Sequence, residues 1–291
     1  MNIIVIANCH IQPIRDGLAL SSEIDETFAI PVHLENTDHY TNAVDQISQS
    51  KKEKFTVLEF GGLLQMAALD PEIVSRIERV VSFTNIYFTG LHPDMTYFGG
   101  MGRRVLSPLG DYHSKICLLA FNKGLSIDQC EKLFNDSTYQ QLDFYTEWAE
   151  SAAELRKRDE HLDIKFADEF LEMTKLEPTL YTFNHPLGIV FNRLLEKIYK
   201  HFGLTPSQFP DSYFYNYLAS NAWWSVYPEI NEFHKLKNLM PITFKAPDHL
   251  SRKFYSLRDF ISLSYRLYSE QNIREIELPL KLSTYLERIP A

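Results

Sequence analysis

The first thirteen residues constrain the fold more than any other segment of the chain. Residues 2–7 form an apolar, β-branched run without helical periodicity, and a polar Asn-Cys-His turn at 8–10 ends it. Such a run predicts a strand that is buried on both faces. Pro13 disfavours a helical conformation for Gln12, so we expect the next helix to begin near Pro13. The chain therefore opens as a strand, a turn that carries a thiol, and a helix.

Extended runs recur along the first third of the chain and alternate with polar or helical segments. They fall at residues 28–34, 55–60 and 81–88. This alternation predicts βαβ units and an α/β fold with a mainly parallel sheet and flanking helices. We expect this α/β core over residues 1–112. The pattern of residues 113–291 is mainly helical, and because no linker precedes it we expect a part packed on the core rather than an independent domain.

The charge balance limits the partners of the chain. The formal net charge is −9, which argues against a general binder of nucleic acid or acidic membranes. Three cysteines without CxxC spacing support neither a disulfide framework nor a thiolate metal site. Without a recognisable signal peptide or an apolar run of membrane-spanning length, we expect a cytoplasmic protein without a transmembrane segment. The sequence leaves a homo-oligomer open.

Cys9 is the candidate nucleophile. Ligands of a parallel sheet bind beyond the carboxyl ends of its strands, which is where the first turn lies. A helix N-terminus lowers the pKa of a nearby thiol and so favours the thiolate that attacks a carbonyl carbon. The alternative is that Cys9 is a small apolar residue filling the end of a buried strand.

Three histidines stand beside a proline or at the start of a helix, and each is a candidate base. His92 follows the run at 81–88, whereas His113 and His185 each precede a helical segment. A histidine in such a place can also serve only to cap a helix. No close histidine pair such as HExxH is present, so we expect no metal site.

Two glycine-containing segments can offer backbone N–H groups to a ligand. The segment 98–104 ends in Arg103 and Arg104, and Lys115 follows; glycine and arginine together suit a phosphate, although a mobile loop is the alternative. Gly62 follows the run at 55–60 and can offer its N–H to an oxyanion, although a simple turn is the alternative.

Five motifs recur at the predicted strand ends and helix starts. They are the Asn-Cys-His turn with Gln12, Gly-Leu-His-Pro-Asp at 90–94, Asp-Tyr-His-Ser at 111–114, Lys-Gly-Leu-Ser at 123–126 and Phe-Asn-His-Pro at 183–186. Together they resemble the WcbI family over about residues 1 to 210. Relatives typically carry Gly-Asn-Cys-Gln in the first turn, where this chain has Ala7 and His10 at the outer positions.

The resemblance implies a polysaccharide-biosynthesis acetyltransferase that binds coenzyme A, on an SGNH-like or flavodoxin-like core. The implied reaction moves the acetyl group of acetyl-CoA to a sugar hydroxyl of a capsular or other surface polysaccharide. By analogy, Cys9 holds the acyl group as a thioester, or it only lines the pocket while a histidine moves the proton. His92 is the first choice for this base and His113 the second.

The resemblance also implies the binding residues. Those for coenzyme A are His10, Gln12, Gly62, Arg103, Arg104 and Lys115, and those for the glycan acceptor are Asn184 and His185. Two other functions remain open. One is an esterase or thioesterase that uses the same cysteine and histidine with water as acceptor, and the other is a non-catalytic protein that binds coenzyme A or a glycan.

Overall fold

A computed structural model describes residues 1–35, 37–65, 67, 69–100, 103–205, 216–237 and 241–289. Part of the glycine-rich segment that we expected to meet a phosphate, Met101 and Gly102, lies outside the described residues, as does the side chain of Arg103.

A four-stranded parallel sheet forms the centre of the α/β part. Its strands are β1 (Asn2–Ala7), β2 (Glu26–Pro31), β3 (Phe55–Phe60) and β4 (Ile77–Phe83), in the order β2-β1-β3-β4. The predicted α/β chain with a parallel sheet is confirmed. Two strands begin earlier than expected, and β4 ends before the predicted residue 88. Beyond Phe83 the chain leaves the ladder, and Thr84 donates its hydroxyl to Asp159 instead.

Helix α1 (Ile11–Leu18) begins two residues before Pro13. Proline is tolerated there because the first N–H groups of a helix have no partner within the helix. The helix therefore begins two residues before the expected start near Pro13, and the turn that holds Cys9 is shorter than predicted.

The two faces of the sheet are covered by different helices. Ile4 and Ile6 of β1 belong to one apolar cluster with Tyr40 and Ile47 of α2 (Asp38–Gln49). Because side chains alternate along a strand, Ile3 and Val5 point to the other face. The helices covering that face are α1 and α9 (Gly188–Phe202), which approach closely where Gly17 meets Leu195.

The rest of the chain is mainly helical with short strands. The remaining helices are α3 (Pro71–Ser75), α4 (Lys115–Asn122), α5 (Ile127–Lys132), α6 (Asp136–Gln141), α7 (Glu147–Asp159), α8 (Ala167–Leu176), α10 (Pro228–His234), α11 (Leu257–Glu270) and α12 (Leu280–Leu286). The short strands are β5 (Met95–Tyr97), β6 (Gly99–Gly100), β7 (Arg103–Arg104), β8 (Tyr112–Ser114), β9 (Leu180–Thr182), β10 (His185–Pro186), β11 (Trp223–Trp224), β12 (Thr243–Lys245) and β13 (Phe254–Ser256).

The chain groups into two compact units that interleave along the sequence. The first unit comprises Met1–Tyr87, Glu154–Glu172 and His185–Leu218. The second comprises Phe88–Ala153, Met173–Asn184 and Ala219–Ala291. The domain boundary expected near residue 112 stays a prediction. Within the described ranges, every helix is too short or too polar to span a membrane.

Candidate functional site

Cys9 lies in the turn between β1 and α1, at the carboxyl edge of the parallel sheet. Ala7 is the last residue of β1 and pairs with Pro31 of β2. The side-chain oxygen of Asn8 accepts a hydrogen bond from the His10 N–H at 3.1 Å, and the Cys9 thiol faces the same oxygen at 3.7 Å. The strand and the Asn8 side chain therefore fix the thiol at the rim of the sheet, where sequence analysis placed it.

Cys9 lines a cleft of about 550 Å³ within the first unit. The cleft is bounded by α1, by β2 and the turn after it, and by α2. Its volume is within the range of small-molecule sites, about 300–1,000 Å³. Polar side chains that line it include Cys9, Gln12, Arg15, His33, His39 and Asn42.

Burial raises the pKa of the Cys9 thiol from 9.0 to about 12, and only its own backbone N–H opposes this effect. The expected lowering by the helix N-terminus is therefore wrong. The largest effect on this thiol is the loss of solvation on burial, which disfavours the charged thiolate. At neutral pH Cys9 is a protonated thiol.

Asp16 neutralises the guanidinium of Arg15, which lines the cleft. The Gln12 amide donates to both carboxylate oxygens of Asp16, at 3.0 and 2.8 Å, and Arg15 donates to one of them at 2.5 Å. The Tyr217 hydroxyl donates to the other at 2.7 Å. Burial alone would raise the pKa of Asp16, but the hydrogen bonds from Tyr217, Arg15 and Gln12 outweigh it and hold this pKa below its usual value.

His10 and His185 also lie in the first unit. The His10 ring is buried and meets Phe60 and Phe191 edge-on, with ring centroids 5.3 and 5.5 Å apart. Burial, followed by the nearby His10, lowers the pKa of His185 to about 3. Both imidazoles belong to the interior beside the Cys9 turn, and their roles in binding stay predictions.

The Gly62 N–H donates to the Glu59 carboxylate at 3.1 Å, and the Leu64 N–H donates to the other oxygen of the same carboxylate. Gly62 has a φ of +89°, the left-handed conformation that glycine allows in a tight turn. In the described structure this turn therefore binds a carboxylate of its own chain. Its role toward an oxyanion stays a prediction.

His92 is buried in the second unit. Its Nε2 lies 2.8 Å from the carbonyl oxygen of Trp224, and its Nδ1 has no hydrogen-bond partner among the described residues. Burial lowers the pKa of His92 to about 4. The imidazole is neutral at physiological pH.

His113 is buried in the second unit with both ring nitrogens engaged. Nε2 lies 2.9 Å from the carbonyl oxygen of Val105, and Nδ1 lies 2.9 Å from the hydroxyl of Tyr268. Because a carbonyl only accepts, Nε2 donates to Val105 and Nδ1 accepts from Tyr268. Burial lowers the pKa of His113 to about 4. With both ring nitrogens hydrogen-bonded, His113 is better suited to stabilise the fold than to accept a proton. Its catalytic role stays a prediction.

Lys115 is also buried in the second unit. Its ammonium donates to the carbonyl oxygen of Pro93 at 2.5 Å and lies 5.6 Å from the centre of the Phe144 ring. Burial lowers its pKa, against the opposing effect of the carboxylates of Glu147 and Asp94. These contacts leave the ammonium little access to a coenzyme A phosphate, so this role stays a prediction that the geometry does not favour.

Arg104 and Asn184 both contact Tyr97 in the second unit, and Asn184 also contacts Tyr112. The Arg104 guanidinium lies 5.0 Å from the centre of the Tyr97 ring and 3.6 Å from the carboxylate of Asp111. Asn184 donates its amide to the Tyr97 hydroxyl at 3.2 Å and accepts from the Tyr112 hydroxyl at 2.8 Å. Arg104 keeps an exposed side chain, so its guanidinium is accessible to an anionic group.

The structure thus gathers the predicted residues into two groups. The first unit holds Cys9, His10, Gln12, Gly62 and His185. The second unit holds His92, Arg103, Arg104, His113, Lys115 and Asn184.

Besides the predicted Gln12, the cleft contains polar residues that were not predicted from the sequence, among them His33, His39 and Asn42. His33 follows β2, so it lies at the same carboxyl edge as Cys9, and a search for polar residues after every predicted strand would have found it. His39 and Asn42 lie three residues apart on α2, which predicts that they share one helix face. Burial lowers the pKa of His33, so this imidazole is neutral at pH 7.

The described residues contain no group of three or more histidine, cysteine, aspartate or glutamate side chains arranged to hold a metal ion.

The family model described as the polysaccharide biosynthesis enzyme WcbI matches residues 2–207, about seven tenths of the chain. The chain belongs to the WcbI family. A solved structure described as WcbI, "a novel polysaccharide biosynthesis enzyme", has the same fold, with a TM-score of 0.62 at 14% sequence identity. The similarity covers 99% of this chain and 98% of that WcbI chain. No curated protein sequence matches this chain.

WcbI membership places the chain among the enzymes of polysaccharide biosynthesis and confirms the predicted resemblance. The solved WcbI structure is described as the native protein without a disulfide bond between coenzyme A and one of its cysteines.

Proposed function

We propose that the chain is an acetyl-CoA-dependent O-acetyltransferase that acts on a sugar hydroxyl of a capsular or other surface polysaccharide. The observation that carries this proposal is the position of Cys9, which lies at the carboxyl edge of a parallel sheet and lines a cleft there. This edge is where sheets of this type bind ligands. The strand order β2-β1-β3-β4 agrees with the order 2-1-3-4-5 of flavodoxin-like sheets, which supports such a core.

Coenzyme A is the proposed acyl carrier because the similar WcbI structure is described in terms of coenzyme A and a cysteine. We assign the corresponding place in this chain to Cys9, the cysteine that is partly exposed, whereas Cys117 and Cys130 are buried. Gln12 lines the same cleft and is the proposed neighbour of the cofactor there. For the phosphates, Arg104 is the candidate whose charged group is accessible.

The protonation of Cys9 favours direct transfer over a covalent intermediate. A thiol with a pKa of about 12 is a poor resting nucleophile at pH 7. In direct transfer the oxygen of the sugar hydroxyl forms a bond to the thioester carbonyl carbon, and the bond from that carbon to the coenzyme A sulfur breaks. The hydroxyl proton passes to a base and from the base to the sulfur, so the products are an acetylated sugar and free coenzyme A. Cys9 lines the pocket and excludes water.

A neutral histidine is required as the base. His92 is the base predicted from sequence, and His33 is a neutral imidazole that shares the cleft with Cys9. General-base catalysis contributes typically about 10²–10⁴-fold to a rate, so substitution of the true base has a large effect.

The proposal is tested by incubating the protein with acetyl-CoA, with and without the organism's own surface polysaccharide after alkaline removal of its O-acetyl groups. We expect free coenzyme A thiol to appear only with the polysaccharide, together with acetyl ester on the polymer. Thiol release without the polysaccharide would identify a thioesterase instead. No thiol release in either case, with coenzyme A still bound, would identify a non-catalytic binding protein.

A further inference from the structure

A polar groove runs along the outer edge of β2. Among the described residues β2 pairs only with β1, so its other edge carries unpaired backbone N–H and C=O groups. The cleft that Cys9 lines continues into a second cavity of about 360 Å³, and the two share Thr27, Phe28 and Gln46. Cys9 lines the first cavity near Pro31, and the second reaches Glu26 at the opposite end of the strand.

Both faces of β2 contribute to this groove. Phe28 lies on the face packed against α2, and by alternation Thr27 points to the face that carries α1. α2 lines the groove with a single face, since Asn42 and Gln46 lie four residues apart. A ligand in the groove therefore lies along the strand edge, between two helices of the same unit.

Apart from Arg15 and Glu26, the polar side chains that line the groove carry uncharged hydrogen-bonding groups, and apolar side chains such as Phe28 lie between them. Asn42, Gln46 and Thr27 offer amides and a hydroxyl, and the strand edge adds backbone donors and acceptors. The charge of Arg15 is neutralised by Asp16. Phosphates bind where cations gather, whereas the hydroxyl groups of a sugar need neutral donors and acceptors at close spacing. The lining thus fits an uncharged polyhydroxyl ligand better than a polyanion.

We propose that this groove binds the glycan acceptor as an extended, uncharged segment, with the hydroxyl to be acetylated at the Cys9 end. The inference rests on the proposed acetyl transfer. β2 has six residues, so the groove is about 20 Å long, which exceeds one sugar ring and accommodates a chain of sugars. The acceptor is therefore a polymer or oligosaccharide rather than a single free sugar.

Two other occupants suit an open strand edge, a peptide strand and the β2 edge of a second copy of the chain. Strand addition needs a continuous row of backbone partners and room on both sides. Pro31 lacks an N–H at one end of β2, and α1 and α2 line the groove on both sides of the strand. These features oppose strand addition, and the polar side chains of α2 suit a glycan.

The test uses two tryptophan substitutions on α2. Asn42→Trp places an indole in the groove at an exposed position, and Ser48→Trp places the same indole on an exposed position of α2 that does not line the groove. Both proteins are assayed for coenzyme A binding by calorimetry and for acetyl transfer to the de-O-acetylated polysaccharide. Hydrogen exchange of the β2 amides is measured in the unsubstituted protein with and without this polysaccharide.

We expect Asn42→Trp to raise KM for the polysaccharide at least tenfold, a larger factor than any loss of coenzyme A affinity, and Ser48→Trp to change neither. We also expect the polysaccharide to slow exchange of the β2 amides. Normal KM in Asn42→Trp with active transfer would overturn the groove assignment and leave the proposed function intact. Slowed β2 exchange without any acetyl transfer would support the groove and contradict the proposed function. Protection of β2 that increases with protein concentration alone would overturn the inference in favour of an interface between copies.

Discussion

The Nε2 atom of His92 donates a hydrogen bond to the carbonyl oxygen of Trp224, 2.8 Å away. Because the carbonyl only accepts, the proton of the neutral imidazole is on Nε2 and the lone pair is on Nδ1. Burial keeps the pKa of His92 at about 4, so this lone pair is free of a proton at pH 7. Trp224 therefore fixes the neutral tautomer of His92 with its lone pair on Nδ1, an atom that is buried.

Substitution of His92 tests its proposed role as the base. We expect His92→Ala to lower kcat by about 100-fold or more, because general-base catalysis contributes typically about 10²–10⁴-fold. His92→Gln is the matched control for folding, since its amide can still donate to Trp224; it is expected to retain the melting temperature and lose the rate. If His92→Ala is nearly normal and His33→Ala loses the rate, the base lies in the cleft instead.

Alkylation by iodoacetamide reports on the Cys9 thiol. We expect Cys9 to be labelled before Cys117 and Cys130, which are fully buried. Because burial raises the pKa of Cys9 from 9.0 to about 12, its thiolate fraction at pH 7.5 is about a thousandfold lower than that of an unburied cysteine. The labelling rate should then rise about tenfold per pH unit between pH 7 and 9. Cys9→Ser should abolish this first labelling event. A labelling rate that levels off below pH 9 would disprove the raised pKa of Cys9.

The first strand, the turn after it and the position of the thiol could be predicted from nearby residues in the sequence. A β-branched run followed by Asn-Cys-His can hardly form anything but a strand and its exit, so β1 and the place of Cys9 follow from residues 2–10. The surroundings of His113 and Lys115 could not be predicted from the neighbouring sequence. Their environment is made by residues distant in sequence, such as Tyr268 beside His113, and burial of this kind decides a pKa more than the neighbouring residues do.

Acid should destabilise the protein through its buried histidines. The unfolded chain takes up a proton at His113 near pH 6.5, whereas the folded chain does so only near 4. The free energy of unfolding therefore falls as the pH decreases from about 6.5 to 4, and the contribution is fully present above this range. His113→Gln removes this titration. Measured by urea unfolding, the fall in the free energy of unfolding from pH 8 to pH 5 should therefore be smaller in His113→Gln than in the unsubstituted protein, by roughly 2 kcal/mol. Equal losses in the two proteins would contradict the buried, neutral state of His113.

Coenzyme A binding should depend on Arg104. Ligand at about 100 times Kd stabilises the folded state by roughly 2.7 kcal/mol, and we expect acetyl-CoA to raise the melting temperature accordingly. Arg104→Ala should reduce this increase, because its exposed guanidinium is the proposed phosphate contact. Arg266→Ala is the matched control, since Arg266 is likewise exposed and paired with one carboxylate, that of Glu270. An equal increase in both variants would remove Arg104 from the binding site.

Close packing limits substitution where α1 meets α9. A Cβ at Gly17 would lie 2.2 Å from a methyl carbon of Leu195, which is buried. Overpacking of this kind costs typically about 1–3 kcal/mol, so Gly17→Ala should lower the free energy of unfolding by an amount in this range. The check is urea unfolding of Gly17→Ala, of Leu195→Ala and of the double variant. Because Leu195→Ala relieves the clash, the loss of unfolding free energy in the double variant should be smaller than the sum of the two single losses.

The Glu59 carboxylate limits which anions can bind to the turn after β3. Because this carboxylate is tethered three residues from Gly62, its effective concentration at the amides of Gly62 and Leu64 is about millimolar or higher. Any diffusing anion must compete with it there. A single change from glutamate to an uncharged residue would remove that competitor from the two amides.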